Sequence, residues 1–212
     1  MDGGDNMPKV TEEHKENRKQ EIIDACEKIY RERGFTAVNI KEISTATSFT
    51  RPAIYSYFET KDEILLALLN REYAKWISSL DEAEHRIKQG DREDTASRIA
   101  HTLDGREILL RLQNMNLFEM EINCRVERLA EFKALYRTAV ETLTRIARTY
   151  SPHSTKDEIT RFCINFNSFL FGVYPFVYHT EKQLKAMELA DVPHFDTTVF
   201  DMAYGCLLKL LP

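Results

Sequence analysis

The sequence predicts an all-α protein in which an N-terminal three-helix head, built around a helix-turn-helix unit, precedes a larger helical domain. Only seven glycines and six prolines interrupt 212 residues, of which 43% are hydrophobic. Apolar residues recur at the three- and four-residue spacing of amphipathic helices. In addition, three helix-start signals fall close together between residues 39 and 63.

These three signals are polar residues that suit the N-cap position of a helix. Asn39 with Glu42, and Thr60 with Glu63, fit the capping-box pattern of a short polar residue followed three positions later by a carboxylate. Thr50 is a third predicted cap, because its hydroxyl can accept a hydrogen bond from an N–H group of the first turn.

The caps delimit two short helices, over residues 40–46 and 51–58, joined by a turn at 47–49. Pro52 falls in the first turn of the second helix, where the backbone N–H groups have no intrahelical partner and proline is tolerated. Two short helices joined by a tight turn form the helix-turn-helix arrangement, whose second helix reads the major groove of DNA.

The remaining helices follow from apolar periodicity and from the glycines and prolines between them. Thr11 is the predicted start of the first helix and Gly34 its C-terminal stop. Thr155 and Glu158 form a further predicted capping box. The other predicted helices cover residues 61–88, 92–103, 106–118, 125–150, 156 onward and 198–211.

The charge distribution is unusual for a protein that binds DNA. The net charge is −5, and residues 1–61 carry ten Lys and Arg against eleven Asp and Glu. Lys41, Arg51 and Lys61 nevertheless lie within the helix-turn-helix unit, where residues 36–61 contain only two acids. Because the placement of cations matters more than their sum, this cluster favours contact with phosphates.

The string Ile54-Tyr55-x-Tyr57-Phe58-x-x-Lys61-x-x-Ile64-Leu65 resembles the signature of the TetR family of bacterial transcriptional regulators. The resemblance extends from Ile22 to Leu69. One departure is Ser48, since the family usually has glycine in this turn. A serine in left-handed geometry would cost on the order of 1 kcal/mol; the alternative is a turn of another geometry.

Arg51 is the strongest candidate for DNA contact, because a guanidinium can donate two hydrogen bonds to guanine or bind a phosphate. The alternative is an ordinary solvated arginine. The resemblance implies that Tyr57 and Lys61 contact phosphate and that other residues of the second helix contact the groove. The predicted DNA-binding residues are Asn39, Lys41, Thr50, Arg51, Pro52, Ala53, Tyr55, Ser56, Tyr57 and Lys61.

Aromatic side chains recur on several helices of the second half of the chain. Such residues are typical of a plain core, but the resemblance implies a small-molecule effector between the central helices, here a largely apolar or aromatic one. The predicted effector pocket comprises Tyr73, Trp76, Leu112, Met115, Phe118, Phe132, Tyr136, Phe162, Asn165, Phe166 and Phe169.

The helices over residues 156 onward and 198–211 are apolar almost all round, which predicts burial on every side. One small domain cannot cover both, so a second subunit is expected. The resemblance implies a four-helix bundle formed by these helices in a homodimer. The predicted interface residues are Gly172, Tyr204, Gly205 and Leu208; the alternative for the glycines is local packing within one chain.

No glycine-rich phosphate loop, metal-ligand spacing or nucleophile elbow is present, so neither an enzyme nor a bound cofactor or metal is expected. The enzyme alternative would require Cys124 or Tyr136 in an unrecognised constellation. Four widely spaced cysteines predict reduced thiols in a cytoplasmic protein, a redox sensor being the alternative. The polar N-terminus predicts no signal peptide, and the apolar run at 169–178 is too short to cross a membrane.

Together these observations predict a homodimeric, ligand-responsive repressor released from a palindromic operator by its effector. The alternative from another class is an effector-free helix-turn-helix protein whose second domain binds another protein. The predicted organisation is a disordered tail over residues 1–10, the head over 11–60 and the effector-binding and dimerisation domain over 61–212.

Overall fold

A computed structural model describes residues 12–212, so the predicted disordered tail and the predicted cap at Thr11 lie outside the described residues. The prediction of an all-α protein is confirmed, with no strand in the described range. The helices are α1 (Glu12–Arg33), α2 (Ile40–Thr45), α3 (Arg51–Tyr55), α4 (Lys61–Glu84), α5 (Arg92–His101), α6 (Glu107–Met115), α7 (Leu117–Asn123), α8 (Val126–Tyr150), α9 (Lys156–Leu170), α10 (Tyr174–Val177), α11 (Glu181–Leu189) and α12 (Val199–Leu210).

Helices α1 to α3 form the head around a small apolar core. Ile22 and Cys26 of α1 are fully buried together with Ile43 of α2 and Ile54 of α3. Gly34 ends α1 with φ at +79°, a left-handed conformation that glycine adopts without the penalty of a β-carbon. A short 3-10 turn over Phe35–Ala37 then leads to α2.

The turn between α2 and α3 has a geometry that accommodates Ser48. Among the non-glycine residues described, only Asp191 has a positive φ, so Ser48 avoids the left-handed region. Its backbone N–H and its hydroxyl each donate a hydrogen bond of 2.9 Å to the Glu21 carboxylate of α1. The serine therefore anchors the turn to the first helix.

Within residues 12–212 the predicted caps are present, but two of the three predicted capping boxes are only half formed. The side chains of Asn39 and Thr60 accept hydrogen bonds from the N–H groups of Glu42 and Glu63. The two carboxylates have other partners: Glu42 pairs with Arg33 at 2.8 Å, and Glu63 binds groups outside its own cap. The box at Thr155 is complete.

Helix α4 runs from the head into the centre of the larger domain, where it packs chiefly against α8. Two predicted boundaries were wrong here. Helix α4 ends at Glu84 rather than near residue 88, and the predicted helix over 106–118 is divided into α6 and α7 at Asn116. The Asn116 side chain accepts a hydrogen bond of 2.8 Å from the Tyr30 hydroxyl of α1, a long-range contact that helical periodicity does not encode.

The C-terminal part of the chain contains more helices than its apolar pattern predicted. Helix α9 ends at Leu170, and the short helix α10 follows after a turn. Helix α11 was missed, although Thr180 and Gln183 form a capping box whose sequence signal is visible. Within one chain helix α9 is not covered on every side, since Ile164 is 59% exposed. This agrees with the expectation that one domain cannot cover the helix, and the second subunit stays a prediction.

Candidate nucleic-acid interface

Helix α3 presents one face to solvent and anchors the other in the head. Ile54 and Phe58 are buried, whereas Arg51, Pro52 and Tyr55 are exposed. The Thr50 hydroxyl accepts from the N–H of Ala53 at 3.4 Å and so caps the helix start. The exposed face thus carries a cation, a small apolar ring and a phenol, groups that suit contacts to DNA bases and phosphates.

Five of the predicted DNA-binding residues surround one concavity of about 300 Å³ between α2, α3 and the start of α4. Its lining comprises Asn39, Ile40, Lys41, Arg51, Tyr55, Glu59, Thr60 and Lys61. Thr50, Pro52 and Ala53 lie outside this lining. Ser56 and Tyr57 line a separate basic concavity at the other end of α3. Seven of the ten predicted DNA-binding residues therefore line one or the other of two separate concavities.

Lys61 is half-buried rather than fully extended into solvent. Its ammonium nitrogen lies 4.2 Å from the centre of the Phe35 ring, a cation–π contact that holds the charge beside the head. The next two residues, Asp62 and Glu63, are buried acids in the first turn of α4. These carboxylates therefore already lie at the positive end of the helix dipole.

Glu63 is the buried centre of an ion-pair cluster that joins the head to the start of α8. Its carboxylate accepts hydrogen bonds from Arg125 Nε at 2.6 Å, from Arg125 Nη2 at 2.8 Å and from the Glu59 N–H at 2.8 Å. Arg125 also pairs with the Glu59 carboxylate at 3.0 Å. Burial disfavours the charged form of Glu63, but these hydrogen bonds and the arginine charge outweigh it and lower its pKa to about 2.

The centre of the predicted effector pocket is a close-packed aromatic cluster. The Tyr73 ring lies 5.9 Å from Trp76 and 5.4 Å from Phe132, edge to face in both cases. Trp76 Nε1 donates to Thr102 Oγ1 at 2.9 Å, and the Tyr73 hydroxyl donates to Gln113 Oε1 at 2.7 Å. Burial raises the pKa of Tyr73 far above its usual range, so the phenol remains a neutral donor.

Not all of the predicted pocket residues belong to this buried cluster. Leu112, Phe162 and Phe166 are buried, and Tyr136 and Phe169 are partly exposed. Met115, Phe118 and Asn165 are exposed, with Met115 at 58% and Phe118 at 76%, so they do not share the burial of this cluster. Met115 and Phe118 lie close to the interruption of the helix at Asn116, whereas Leu117 between them is buried.

Gln113 is a buried polar group that the sequence did not single out. Its side-chain nitrogen is among the described buried atoms without a hydrogen-bond partner, although its oxygen holds Tyr73. A buried donor without a partner costs about 1–3 kcal/mol. This amide therefore offers a hydrogen bond to any molecule that enters the cluster.

The four predicted interface residues lie on the surface of the single chain. Gly205 is exposed, and Gly172, Tyr204 and Leu208 are partly exposed. Apart from its chain neighbours and the backbone of its own helix, no heavy atom lies within 4 Å of the position that a β-carbon on Gly205 would occupy, so this part of α12 is open to close approach. Met202 of α12 also borders an apolar groove of about 470 Å³ formed with α10, α11 and the segment that follows.

Residues 12–212 contain neither a cluster of metal-ligand side chains nor a membrane-spanning helix. No group of three or more His, Cys, Asp or Glu side chains in that range is placed to hold a metal ion. No helix within it has the length and apolar character needed to cross a membrane.

Two family profiles match consecutive parts of the chain. The profile described as bacterial regulatory proteins, tetR family, matches residues 22–68. The profile described as tetracyclin repressor-like, C-terminal domain, matches residues 70–211, which is more than half of the chain.

Individual relatives match part of the chain. An uncharacterised HTH-type transcriptional regulator YfiR from Bacillus subtilis is 32% identical over 79 residues, 37% of this chain and 38% of the relative. The HTH-type transcriptional repressor Rv1474c from Mycobacterium tuberculosis is 30% identical over 66 residues, 31% of this chain and 35% of the relative. These alignments thus span little more than a third of either relative.

The fold of the whole chain is similar to a solved structure of the transcriptional regulator FadR from Bacillus subtilis, determined in complex with stearoyl-CoA. The TM-score is 0.55 at 16% identity, covering 91% of this chain and 97% of that one. At this identity the likeness establishes a shared fold.

Proposed function

The chain belongs to the TetR family of bacterial transcriptional regulators, and from that premise we propose that it is a homodimeric repressor released from a palindromic operator by a small effector. The family is one of DNA-binding regulators rather than enzymes. The observation that carries the proposal is the exposed face of α3, where Arg51 and Tyr55 share a concavity with Lys41 and Lys61.

In this proposal α3 enters the major groove and the surrounding cations contact the flanking phosphates. Arg51, in the first turn, supplies base recognition, while Lys41 and Lys61 neutralise the backbone. We take residues 11–60 as the DNA-binding unit and 61–212 as the effector-binding and dimerisation unit. A two-fold dimer then requires half-sites one helical turn or a multiple apart, about 34–36 Å per turn.

Selection from a random DNA library tests the DNA-binding part of the proposal. The wild-type protein should enrich a palindromic sequence, and Arg51→Ala should bind it about 1–3 kcal/mol more weakly with relaxed preference. Arg137→Ala is the matched control, because Arg137 is 73% exposed on α8, away from the head. Failure of the wild-type protein to enrich any sequence would contradict DNA reading.

For the effector we propose binding at the aromatic cluster, with the free amide of Gln113 and the rings of Tyr73 and Trp76 as contacts. The unpaired nitrogen of Gln113 favours a ligand that carries one hydrogen-bond acceptor on an otherwise apolar body. Because the cluster is closely packed, such a ligand must displace side chains, and α4 and α8 are the helices that would move.

Native mass spectrometry of the purified protein tests effector binding. Because the FadR neighbour was solved with stearoyl-CoA, long-chain acyl-CoA is a reasonable first probe beside aromatic compounds. A true effector should lower affinity for the selected DNA, for which about 1–3 kcal/mol of coupling suffices. Gln113→Leu should weaken the binding of that effector and leave the DNA affinity of the effector-free protein unchanged. A protein that retains no ligand and responds to none would favour the effector-free alternative.

A further inference from the structure

A second basic surface lies at the C-terminal end of α3, separate from the concavity around Arg51. It is a concavity of about 360 Å³ lined by Lys15, Arg18, Lys19, Ser56, Tyr57 and Arg128. Four of these six residues are cations, and none of the described lining residues is acidic, although the chain as a whole carries a net charge of −5. We name this surface the α1–α8 basic surface.

The α1–α8 basic surface combines residues from both parts of the molecule. Lys15, Arg18 and Lys19 belong to α1 of the head, whereas Arg128 belongs to the first turn of α8 in the larger domain. Arg18 lies 5.3 Å from the Phe49 ring, which places its charge beside the turn that precedes α3. The concavity therefore exists only when α8 is docked on the head.

Arg128 is held in a defined position at the end of α3. Its Nη2 donates to the backbone oxygen of Tyr57 at 3.3 Å, and its guanidinium lies 5.9 Å from the Phe58 ring. Its Nη1 donates to Glu131 at 2.9 Å, on the solvent side of the same helix. The side chain is 25% exposed, so the cation is fixed in place while part of it still reaches solvent.

We infer that Arg128 is a DNA-backbone contact supplied by the effector-binding domain, with the α1–α8 basic surface as its phosphate site. The inference rests on the proposed function, since it takes α3 as the reading helix. A guanidinium presents planar donors that match a phosphate, and one already positioned loses little entropy on binding. Lys19 pairs with Glu16 and Arg128 pairs with Glu131. Both carboxylates are exposed, so a phosphate can readily replace them as the partner of each cation.

This placement gives the larger domain a direct connection to DNA. Phe132 lies one helical turn beyond Arg128 on α8 and packs against Tyr73 in the aromatic cluster. A displacement of α8 at Phe132 therefore also moves Arg128 away from Tyr57, and the phosphate site then loses this cation. This connection between the aromatic cluster and DNA runs through α8, so it does not require α4 to bend.

The experiment measures how the affinity of the full-length protein for a random-sequence DNA duplex changes with salt. Fluorescence anisotropy between about 50 and 200 mM salt gives the slope of log K against log salt, whose magnitude decreases by about 0.9 for each phosphate that the protein no longer neutralises. Arg128→Ala should reduce the slope by that amount. Arg128→Lys should retain the slope because it keeps the charge, and Arg137→Ala, with the same change in net charge, should match the wild type.

Glu131→Gln should change the DNA affinity in the direction opposite to Arg128→Ala. It removes the carboxylate that competes for Arg128, so affinity at low salt should rise severalfold. A weaker affinity in Arg128→Ala with an unchanged slope would show that Arg128 only positions Tyr57, and would overturn the inference. If Arg128→Ala shows the same salt dependence of DNA affinity as the wild type, the inference is also overturned. The proposed function then still stands, provided that Arg51→Ala weakens binding to the selected sequence. A wild-type protein that binds no duplex would instead refute the proposed function.

Discussion

The ion-pair cluster around Glu63 makes a strong prediction about stability. Arg125→Ala removes the two guanidinium hydrogen bonds to a carboxylate whose side chain is 0% exposed. The backbone N–H groups of Glu59 and Arg125 remain as donors, at 2.8 and 3.3 Å. A buried charge is then left with only part of its compensation, which is the costly situation for an ion pair.

The magnitude follows from the pKa of Glu63. A decrease from the ordinary value of 4.5 to about 2 corresponds to roughly 3 kcal/mol of preference for the charged form in the folded state. The retained backbone donors supply part of this preference. Because Arg125 is 39% exposed, water can replace part of the stabilisation that its guanidinium supplies. We therefore expect Arg125→Ala to lower the free energy of unfolding by about 2 kcal/mol at pH 7.

The assay is urea unfolding followed by the emission of Trp76, the single tryptophan of the chain, which is fully buried. Because the folded pKa lies below the unfolded one, the contribution of Glu63 is complete above pH 4.5 and is lost as pH falls towards 2. The difference between wild type and Arg125→Ala should accordingly shrink with acidification.

Arg137→Ala is the control, since its nearest acid is 3.8 Å away at an exposed site. Exposed ion pairs contribute about 0–1 kcal/mol, so this variant should unfold close to the wild type at every pH. A deficit below about 0.5 kcal/mol in Arg125→Ala at pH 7, or one that does not change with pH, would refute the reasoning.

Three further predictions concern other parts of the molecule. Gly34→Ala should destabilise the protein by about 1–2 kcal/mol because φ is +79° there, and equal urea midpoints for both proteins would contradict the strain argument. Tyr204→Glu should give monomers or aggregates in sedimentation, since it places a charge on the proposed dimer face; a wild-type monomer at micromolar concentration would exclude that face. Trp76 emission should change when the effector binds, and a tight ligand that alters neither emission nor DNA affinity would exclude the aromatic cluster as the effector site.

The sequence alone indicated the fold class, the resemblance to the family and the position of helix α3. Thr50 capping α3 and Asn39 capping α2 are interactions between residues three positions apart, so they are visible in the order of residues. The same is true of the apolar stripes of α4 and α8. Local signals of this kind specify where helices start and which face of each is buried.

Only the tertiary structure decided how the helices use their polar groups. Glu63 was expected to complete the cap at Thr60, but it binds Arg125, 62 positions away. Asn116 interrupts a periodic apolar pattern because Tyr30 supplies a partner from another helix. Contacts of this separation depend on how α1, α4 and α8 dock against one another, and helical periodicity carries no information about docking. The sequence therefore indicated a head and a larger domain, but only the structure revealed that Arg125 and Arg128 of the larger domain contact the head.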